Sequence, residues 1–171
     1  MSCFTSVWRA LAGPQVTDRK AQPRCAFCSI VAGAEGRLLY SDDRVAAFWD
    51  RSPAAAKHIL VVSRAHIGSV LDLESSDCDI AAHMLSVGRS LVEHHAPGAE
   101  QKHGFHVPPF TSVAHLHLHA FALPFANPWR SLKYADGACW WISGDVLLRR
   151  LGPTVTGYGS LAVDAQSRSK T

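Results

Sequence analysis

Three histidines alternate with leucines in the run His115-Leu116-His117-Leu118-His119. Near neutral pH an imidazole can act as an acid, a base, a nucleophile or a metal ligand. In a strand, successive side chains point to opposite faces, so the histidines would share one face and the leucines the other. The run alone leaves three interpretations open: catalysis, a metal site, or a chance arrangement on an exposed strand.

Cys25 and Cys28 form a second candidate feature, a Cys-x-x-Cys pair. Thiols at this spacing serve either as zinc ligands or as redox pairs. A redox pair is expected within a thioredoxin-like βαβ unit, which the sequence lacks, and a structural zinc needs two further ligands. The alternative is that both cysteines are small buried hydrophobic residues.

The composition is that of one globular domain. The chain has 171 residues, of which 47% are hydrophobic, enough for a substantial core. The net charge of +3 is spread along the chain, so we expect no dedicated nucleic-acid binding. No apolar run approaches the roughly 18 residues of a membrane span, and we expect a soluble protein.

The five cysteines and the lack of a secretory signal favour a reducing compartment. We expect a cytoplasmic protein, with a nuclear location left open. Organelle targeting by the basic N-terminal segment is not excluded.

Residue patterns predict an α+β domain over residues 25–152, with flexible segments at 1–24 and 153–171. Apolar residues recur at helical spacing from Ile80 through Met84 and Val87 to Leu91, which predicts one long helix ending near His95. We interpret Ser76 and Asp79 as its capping box. An antiparallel sheet of about five strands is expected. The other predicted elements are short helices at 26–32 and 145–151, and strands at 38–40, 45–49, 58–62, 101–107, 112–123 and 138–142.

The histidine run and its surroundings resemble the histidine-triad superfamily. Residues 112–121 follow the pattern His-φ-His-φ-His-φ-φ of that superfamily, where φ is apolar. Other segments stand in the order and spacing of its nucleotide-binding (HINT) branch: Cys25–Cys28, Phe48–Asp50, His58–Val62 and His66. Gly104–Phe110 and Trp140–Ile142 are most similar to the third type of that branch, a group of adenosine 5′-monophosphoramidases. The resemblance covers about residues 25 to 150.

The resemblance implies a hydrolase that cleaves the P–N bond of an adenosine 5′-monophosphoramidate and releases AMP and an amine. It makes His117 the nucleophile, which forms a covalent nucleotidyl-histidine intermediate, and His119 a phosphate ligand. Ser112 would lie beside the leaving group, and His58 would belong to a hydrogen-bonded relay next to the nucleophile. No catalytic metal is expected.

For nucleotide binding, the resemblance implies that Asp50 accepts hydrogen bonds from the ribose hydroxyls. Arg51 stands where the branch usually has isoleucine, and it would change the contacts around the nucleoside. The Gly-Gln-Ser before the triad and the Trp-Pro-Pro-Gly at the carboxyl end of better-known members are missing. We therefore expect a purine nucleoside monophosphate derivative, with the base and leaving group undetermined.

The resemblance also implies a structural zinc site and a homodimer. In some members, histidines that match His66 and His115 complete a zinc site with the two cysteines that match Cys25 and Cys28. With zinc bound, His115 would serve structure and leave His117 and His119 to the chemistry.

Two other functions fit the same residues. One is a related hydrolase, acting on diadenosine polyphosphates or on adenylated DNA; the DNA enzymes usually carry an extra zinc finger and a basic surface, which this sequence lacks. The other is a non-catalytic nucleotide-binding scaffold protein.

The remaining candidate residues have structural interpretations. We expect four histidines on solvated surfaces: His83, His94, His95 and His103. Trp140 and Trp141 are interpreted as core or interface aromatics, and His106 is left unassigned. Three cysteines are expected to be unpaired: Cys3, Cys78 and Cys139.

Overall fold

A computed structural model describes residues 19–33 and 38–152 of the chain. Residues 1–18 and 153–171, which make up most of the predicted flexible segments, lie outside the described residues, as does Cys3. The domain boundaries near residues 24 and 153 therefore stay predictions. No helix in the described ranges is both long and apolar enough to cross a membrane.

The described elements form a single antiparallel sheet with helices around it. Their order along the chain is α1 (Ala26–Gly33), β1 (Tyr40–Ser41), β2 (Val45–Trp49), β3 (Ala55–Ser63), two 3-10 turns (Val70–Asp72 and Ser75–Asp77), α2 (Cys78–His95), β4 (Gln101–His106), β5 (His117–Phe125), α3 (Pro128–Lys133), β6 (Trp141–Ser143) and α4 (Gly144–Leu151). The strand order across the sheet is β1-β2-β3-β5-β4-β6. The predicted α+β class is confirmed. The sheet has six strands rather than about five, because short strands complete both edges.

α2 covers one face of the sheet with a stripe of small and apolar residues. The buried residues of this helix are Ala81, Met84, Leu85, Val87, Gly88 and Val92. The predicted stripe is confirmed at Met84 and Val87. Ile80 and Leu91 are only partly buried, at the margins of the core.

The start of α2 differs from the prediction. The capping box assigned to Ser76 and Asp79 is wrong, because a 3-10 turn precedes the helix and carries its own capping interaction. The Asp77 carboxylate accepts the Glu74 backbone N–H at 3.0 Å. It also receives two hydrogen bonds from the Arg19 guanidinium, at 2.6 and 2.7 Å, which lower the pKa of Asp77. The segment before α1 is thereby attached to the start of α2.

β5 carries the core and the histidines on opposite faces. Leu118 and Ala120 pack into the core beneath α2, whereas His117 and His119 lie on the open face. The predicted alternation is thus confirmed for these residues. The predicted start of the strand at Ser112 is wrong, because residues 112–115 form bends and the strand begins at His117.

Gly104 in β4 leaves room for the Trp141 side chain on the open face. A Cβ atom at position 104 would lie 2.7 Å from Cε2 of the Trp141 indole and 2.6 Å from the carbonyl oxygen of Ile142. Trp141 is buried in a cluster that includes Phe121 and Tyr134. The close approach of the indole to β4 therefore requires glycine.

Replacing Gly104 with alanine should lower the free energy of unfolding by about 1–3 kcal/mol, because the methyl group must displace the indole or the neighbouring backbone. Urea unfolding of the two proteins measures the difference. Gly33→Ala is the matched control, since a Cβ there meets nothing within 4 Å. Equal unfolding midpoints for Gly104→Ala and the parent chain would contradict this account of the packing.

Candidate functional site

Four buried imidazoles lie together on the open face of the sheet, which we call the histidine face: His58, His106, His117 and His119. β3 and β5 hold three of them in register, since Leu60 pairs with His119, Val62 with His117, and His58 with Phe121. Alternation along each strand turns these histidines away from α2. The fold therefore gathers at one surface residues that are far apart in the sequence.

The hydrogen bonds of His117 leave one of its ring nitrogens free to react. Its Nδ1 lies 2.6 Å from the carbonyl oxygen of His115, an acceptor only, so Nδ1 carries the proton and donates. Nε2 then keeps its lone pair. Burial lowers the pKa of His117 and favours the neutral ring. His117 is thus held in the tautomer that a nitrogen nucleophile requires.

A chain of hydrogen bonds fixes the proton positions of His58 and His119. The backbone N–H of Ala54 donates to Nδ1 of His58 at 3.2 Å, so the proton of His58 is on Nε2. That Nε2 donates to Nδ1 of His119 at 2.8 Å, which places the His119 proton on Nε2. Nε2 of His119 is buried and has no partner among the described residues. Beside His117, the site thus offers an N–H suited to an anionic oxygen.

Burial keeps this relay neutral. It lowers the pKa of His58 to about 3, with smaller effects from nearby cations and imidazoles. It also lowers the pKa of His119, and the neighbouring His117 and His58 add to the effect. Neutral rings can hold the donor and acceptor roles described above across the neutral pH range.

Asp50 lies beside the relay. One carboxylate oxygen, Oδ2, is 3.4 Å from Nε2 of His58, and the other accepts the backbone N–H of Ser52 at 2.7 Å. Asp50, His58 and His119 lie close enough to hold a metal ion. The proton on Nε2 of His58 is inconsistent with that role, because a nitrogen that binds a metal must offer its lone pair.

The structure places the two other predicted nucleotide ligands at the surface. Arg51 is exposed immediately after Asp50, and Ser112 is exposed in the bends before β5. Neither is drawn into the buried imidazole cluster.

His106 and Tyr134 also belong to the site, although neither was among the residues predicted for it. Nδ1 of His106 donates to the carbonyl oxygen of Trp140 at 3.2 Å, and its ring centre lies 5.0 Å from that of His119. Burial lowers the pKa of His106 to about 4. The ring of Tyr134 lies 5.4 Å from His119. With Trp141, Tyr134 forms what we call the aromatic wall of the site.

Alternation in the predicted strand 101–107 could have indicated His106, since it lies two residues from Gly104 and faces the same side. No pattern in the loop-like segment after residue 124 indicated Tyr134.

Among the histidines expected on solvated surfaces, three are partly buried instead: His83, His95 and His103. Nε2 of His103 is buried, and burial lowers the pKa of this residue to about 4. The reason is that His103 points toward α2, where its Cδ2 would lie 3.6 Å from a Cβ at Gly88. His83 lies 2.6 Å from the Asp42 carboxylate. His94 is exposed as expected.

His95 is only partly exposed, because its ring packs 5.0 Å from that of Trp49, measured between ring centres. The interpretations of Trp141, Cys78 and Cys139 are confirmed. Trp141 is a core residue. Cys78 and Cys139 are unpaired.

Two cysteines and two histidines form a second cluster, next to the start of β5. The ligand atoms of Cys25, Cys28, His66 and His115 all lie within 4.8 Å of one another. The Sγ atom of Cys25 is 3.3 Å from Nδ1 of His115, and Sγ of Cys28 is 3.3 Å from Nδ1 of His66. Tetrahedral zinc bonds would separate sulfur and nitrogen ligands by about 3.5 Å. The arrangement therefore has the dimensions of a Cys2His2 zinc site.

The hydrogen bonds of His115 are consistent with metal binding. Its Nε2 donates to the carbonyl oxygen of Ser63 at 2.7 Å, which leaves the lone pair on Nδ1, the atom that faces the thiols. Such a backbone acceptor commonly orients a zinc-bound histidine.

An apolar cluster, which we call the apolar end, lies between the Cys2His2 cluster and the histidine face. It contains Phe27 of α1, Phe48 of β2 and Leu60 of β3. The ring centres of Phe27 and His117 are 5.1 Å apart. The apolar end thus borders the ring of His117, whereas the aromatic wall borders the rings of His106 and His119.

Comparisons with known proteins agree with this geometry. Residues 24–135 match the family described as "Scavenger mRNA decapping enzyme C-term binding". The chain is 43% identical, over 77% of its length and 94% of the relative, to the bifunctional adenosine 5′-phosphosulfate phosphorylase/adenylylsulfatase HINT4 of Arabidopsis thaliana. It is 35% identical to the mouse adenosine 5′-monophosphoramidase HINT3, over 74% of its length and 81% of the relative.

A similar fold occurs among solved structures. A histidine triad protein from Clostridium difficile superposes with a TM-score of 0.54 and 31% identity, covering 61% of this chain and 95% of that one. The chain therefore belongs to the histidine-triad superfamily, in its nucleotide-binding branch and close to the third type.

Proposed function

We propose that the protein is an adenosine 5′-monophosphoramidase, which hydrolyses the P–N bond of a nucleoside phosphoramidate and releases AMP and an amine. One observation carries the proposal: the ring of His117, whose Nε2 keeps its lone pair, lies 5.0 Å from the ring of His119, whose Nε2 carries a proton, measured between ring centres. A nucleophile and a phosphate donor are thus neighbours in the folded chain. The 35% identity to the mouse phosphoramidase supports the substrate class.

In the proposed reaction, Nε2 of His117 attacks the α-phosphorus and the P–N bond breaks. Its electron pair leaves with the amine, which takes up a proton from the solvent, and the Ser112 hydroxyl is proposed to donate a hydrogen bond to the leaving nitrogen. The N–H of His119 stabilises the charge on the phosphoryl oxygen. Water then displaces His117 from phosphorus and gives AMP. The intermediate divides one displacement into two easier steps.

For the nucleoside, we propose that the base packs at the apolar end and that Asp50 accepts from the ribose hydroxyls, with Arg51 at the rim. The position of the Asp50 carboxylate, with Oδ2 3.4 Å from Nε2 of His58, supports this orientation.

A specific observation favours a second substrate, adenosine 5′-phosphosulfate, also called adenylyl sulfate. The Arabidopsis relative, which is named for action on this compound, is 43% identical to this chain over 94% of the relative's length. In adenylyl sulfate the leaving group is an oxyanion instead of an amine.

We further propose that Cys25, Cys28, His66 and His115 bind a structural zinc ion. When bound, zinc would tie α1 and the segment before it to the end of the sheet. His115 would then act in structure through its ring, while its carbonyl oxygen orients His117.

We also propose a homodimer, because members of the histidine-triad family are generally dimers. β6 pairs only with Gly104–His106, so the edge of β4 at 101–103 carries no strand among the described residues. A second copy pairing at this edge would extend the sheet. Mass measurement at micromolar concentration tests the proposal, and a clean monomer would contradict it.

Replacing His117 with asparagine should reduce turnover of adenosine 5′-phosphoramidate by at least about a thousandfold, because no nucleophile remains, while AMP affinity stays within about tenfold. Steady-state rates and AMP titration measure the two effects. His94→Asn applies the same change at an exposed position and should keep full activity. Retained turnover in His117→Asn would refute the assigned role.

The purified protein should contain about one zinc ion per chain, and Cys28→Ser should contain much less, because a tetrahedral site loses one of its four ligands. Elemental analysis measures the content. Cys139→Ser, which lies outside the cluster, is the control. Less than about 0.2 zinc per chain in the parent protein would rule out the zinc proposal.

A further inference from the structure

The histidine face has two ends, and the leaving group belongs at the one near β4. This step rests on the proposed function, in which the nucleoside occupies the apolar end and the phosphorus lies over His117 and His119. The side away from the apolar end is bounded by His106 and by the aromatic wall, whose Tyr134 and Trp141 lie 5.2 and 5.3 Å from the ring of His106. The residues that line that side are therefore the ones that can act on the leaving group.

Helix α3 runs from the Asp50 side of the site to the β4 side. At its first turn, Nη2 of Arg130 is 3.5 Å from Oγ of Ser52, the residue whose N–H binds Asp50. At its last residue, the carbonyl oxygen of Lys133 accepts the indole N–H of Trp140 at 3.1 Å. The Arg130 side chain thus lies on the ribose side, and the main chain of Lys133 lies on the β4 side, where the leaving group is placed.

The Lys133 ammonium lies at the edge of the site, and no residue in the described part of the chain forms an ion pair with it. Its Nζ lies 5.5 Å from the ring centre of Tyr134, and that ring contacts both His106 and His119. Within residues 19–33 and 38–152, no carboxylate pairs with Lys133, whereas Lys102 pairs with Asp136. A cation left unpaired at the edge of a site for anions is available to an anionic ligand.

The charge of Lys133 also acts on the imidazoles of the histidine face. It is among the influences that lower the pKa of all four histidines on the histidine face, after burial in each case: His58, His106, His117 and His119. A cation with this reach can stabilise negative charge that develops on a leaving group nearby.

We propose that Lys133 is a specificity-determining residue, which favours substrates whose leaving group is itself an oxyanion, represented by the sulfate of adenosine 5′-phosphosulfate. Nε2 of His117 forms its bond to the α-phosphorus, and the P–O bond to sulfate breaks with its electron pair on the sulfate. Sulfate is the anion of a strong acid, so it departs without taking up a proton. Water then releases AMP from His117, with loss of a proton.

The test compares kcat/KM for adenosine 5′-phosphosulfate with kcat/KM for adenosine 5′-phosphoramidate, whose leaving group is uncharged ammonia. The full chain is measured as the parent protein and as Lys133→Gln. The ratio of phosphosulfate to phosphoramidate activity should fall at least about tenfold in Lys133→Gln, the size expected for one charge-assisted contact. Lys133→Arg should restore most of the ratio, because it keeps the charge.

Lys57→Gln is the matched control, because it removes the same charge from the opposite face of β3, where Nζ lies 5.5 Å from the ring of Trp49. Its ratio should equal that of the parent. An unchanged ratio in Lys133→Gln, or a parent protein that hydrolyses only the phosphoramidate, overturns this inference but leaves the proposed function intact. A parent protein that hydrolyses neither compound overturns the proposed function itself.

Discussion

The directed hydrogen bonds among the buried imidazoles are the interaction on which the rest of the site depends. A neutral imidazole can carry its proton on either nitrogen, and only one arrangement suits both nucleophilic attack and phosphate binding. Two backbone groups determine where the protons lie. The N–H of Ala54 fixes the proton position of His58 and, through it, that of His119, and the carbonyl of His115 fixes that of His117. Because these groups belong to the main chain, the fold itself selects the reactive tautomers.

The close packing around this relay explains why the site needs residues distant in sequence. The aromatic wall excludes water from the side of His119 and His106, and Gly104 permits the wall to approach the sheet. Exclusion of water lowers the pKa of each imidazole and strengthens each remaining hydrogen bond. Desolvation and proton placement thus act together, since neutral rings are the ones that can hold fixed donor and acceptor roles.

Much of this architecture could be predicted from the sequence because it depends on short-range periodicity. Alternation in the histidine run indicated the face shared by His117 and His119, and the spacing of Met84 and Val87 indicated the long helix. The capping interaction before α2 was not predicted in the same way, because it lies in a 3-10 turn between Glu74 and Asp77, and because that turn pairs with Arg19, a partner far from Asp77 along the chain. Tyr134 was missed for a similar reason: its place beside His119 follows from how α3 folds back onto the sheet, which no local pattern records.

The division of β5 into two faces has a consequence for how such a protein can change over evolutionary time. Leu118 and Ala120 hold the strand in the core, so a substitution at His117 leaves that packing untouched. Loss of turnover need not bring loss of the fold or of the nucleotide pocket. A nucleotide-binding adaptor or sensor without enzymatic activity is thus a single substitution away from this chain, and a duplicated copy could take that path without first becoming unstable.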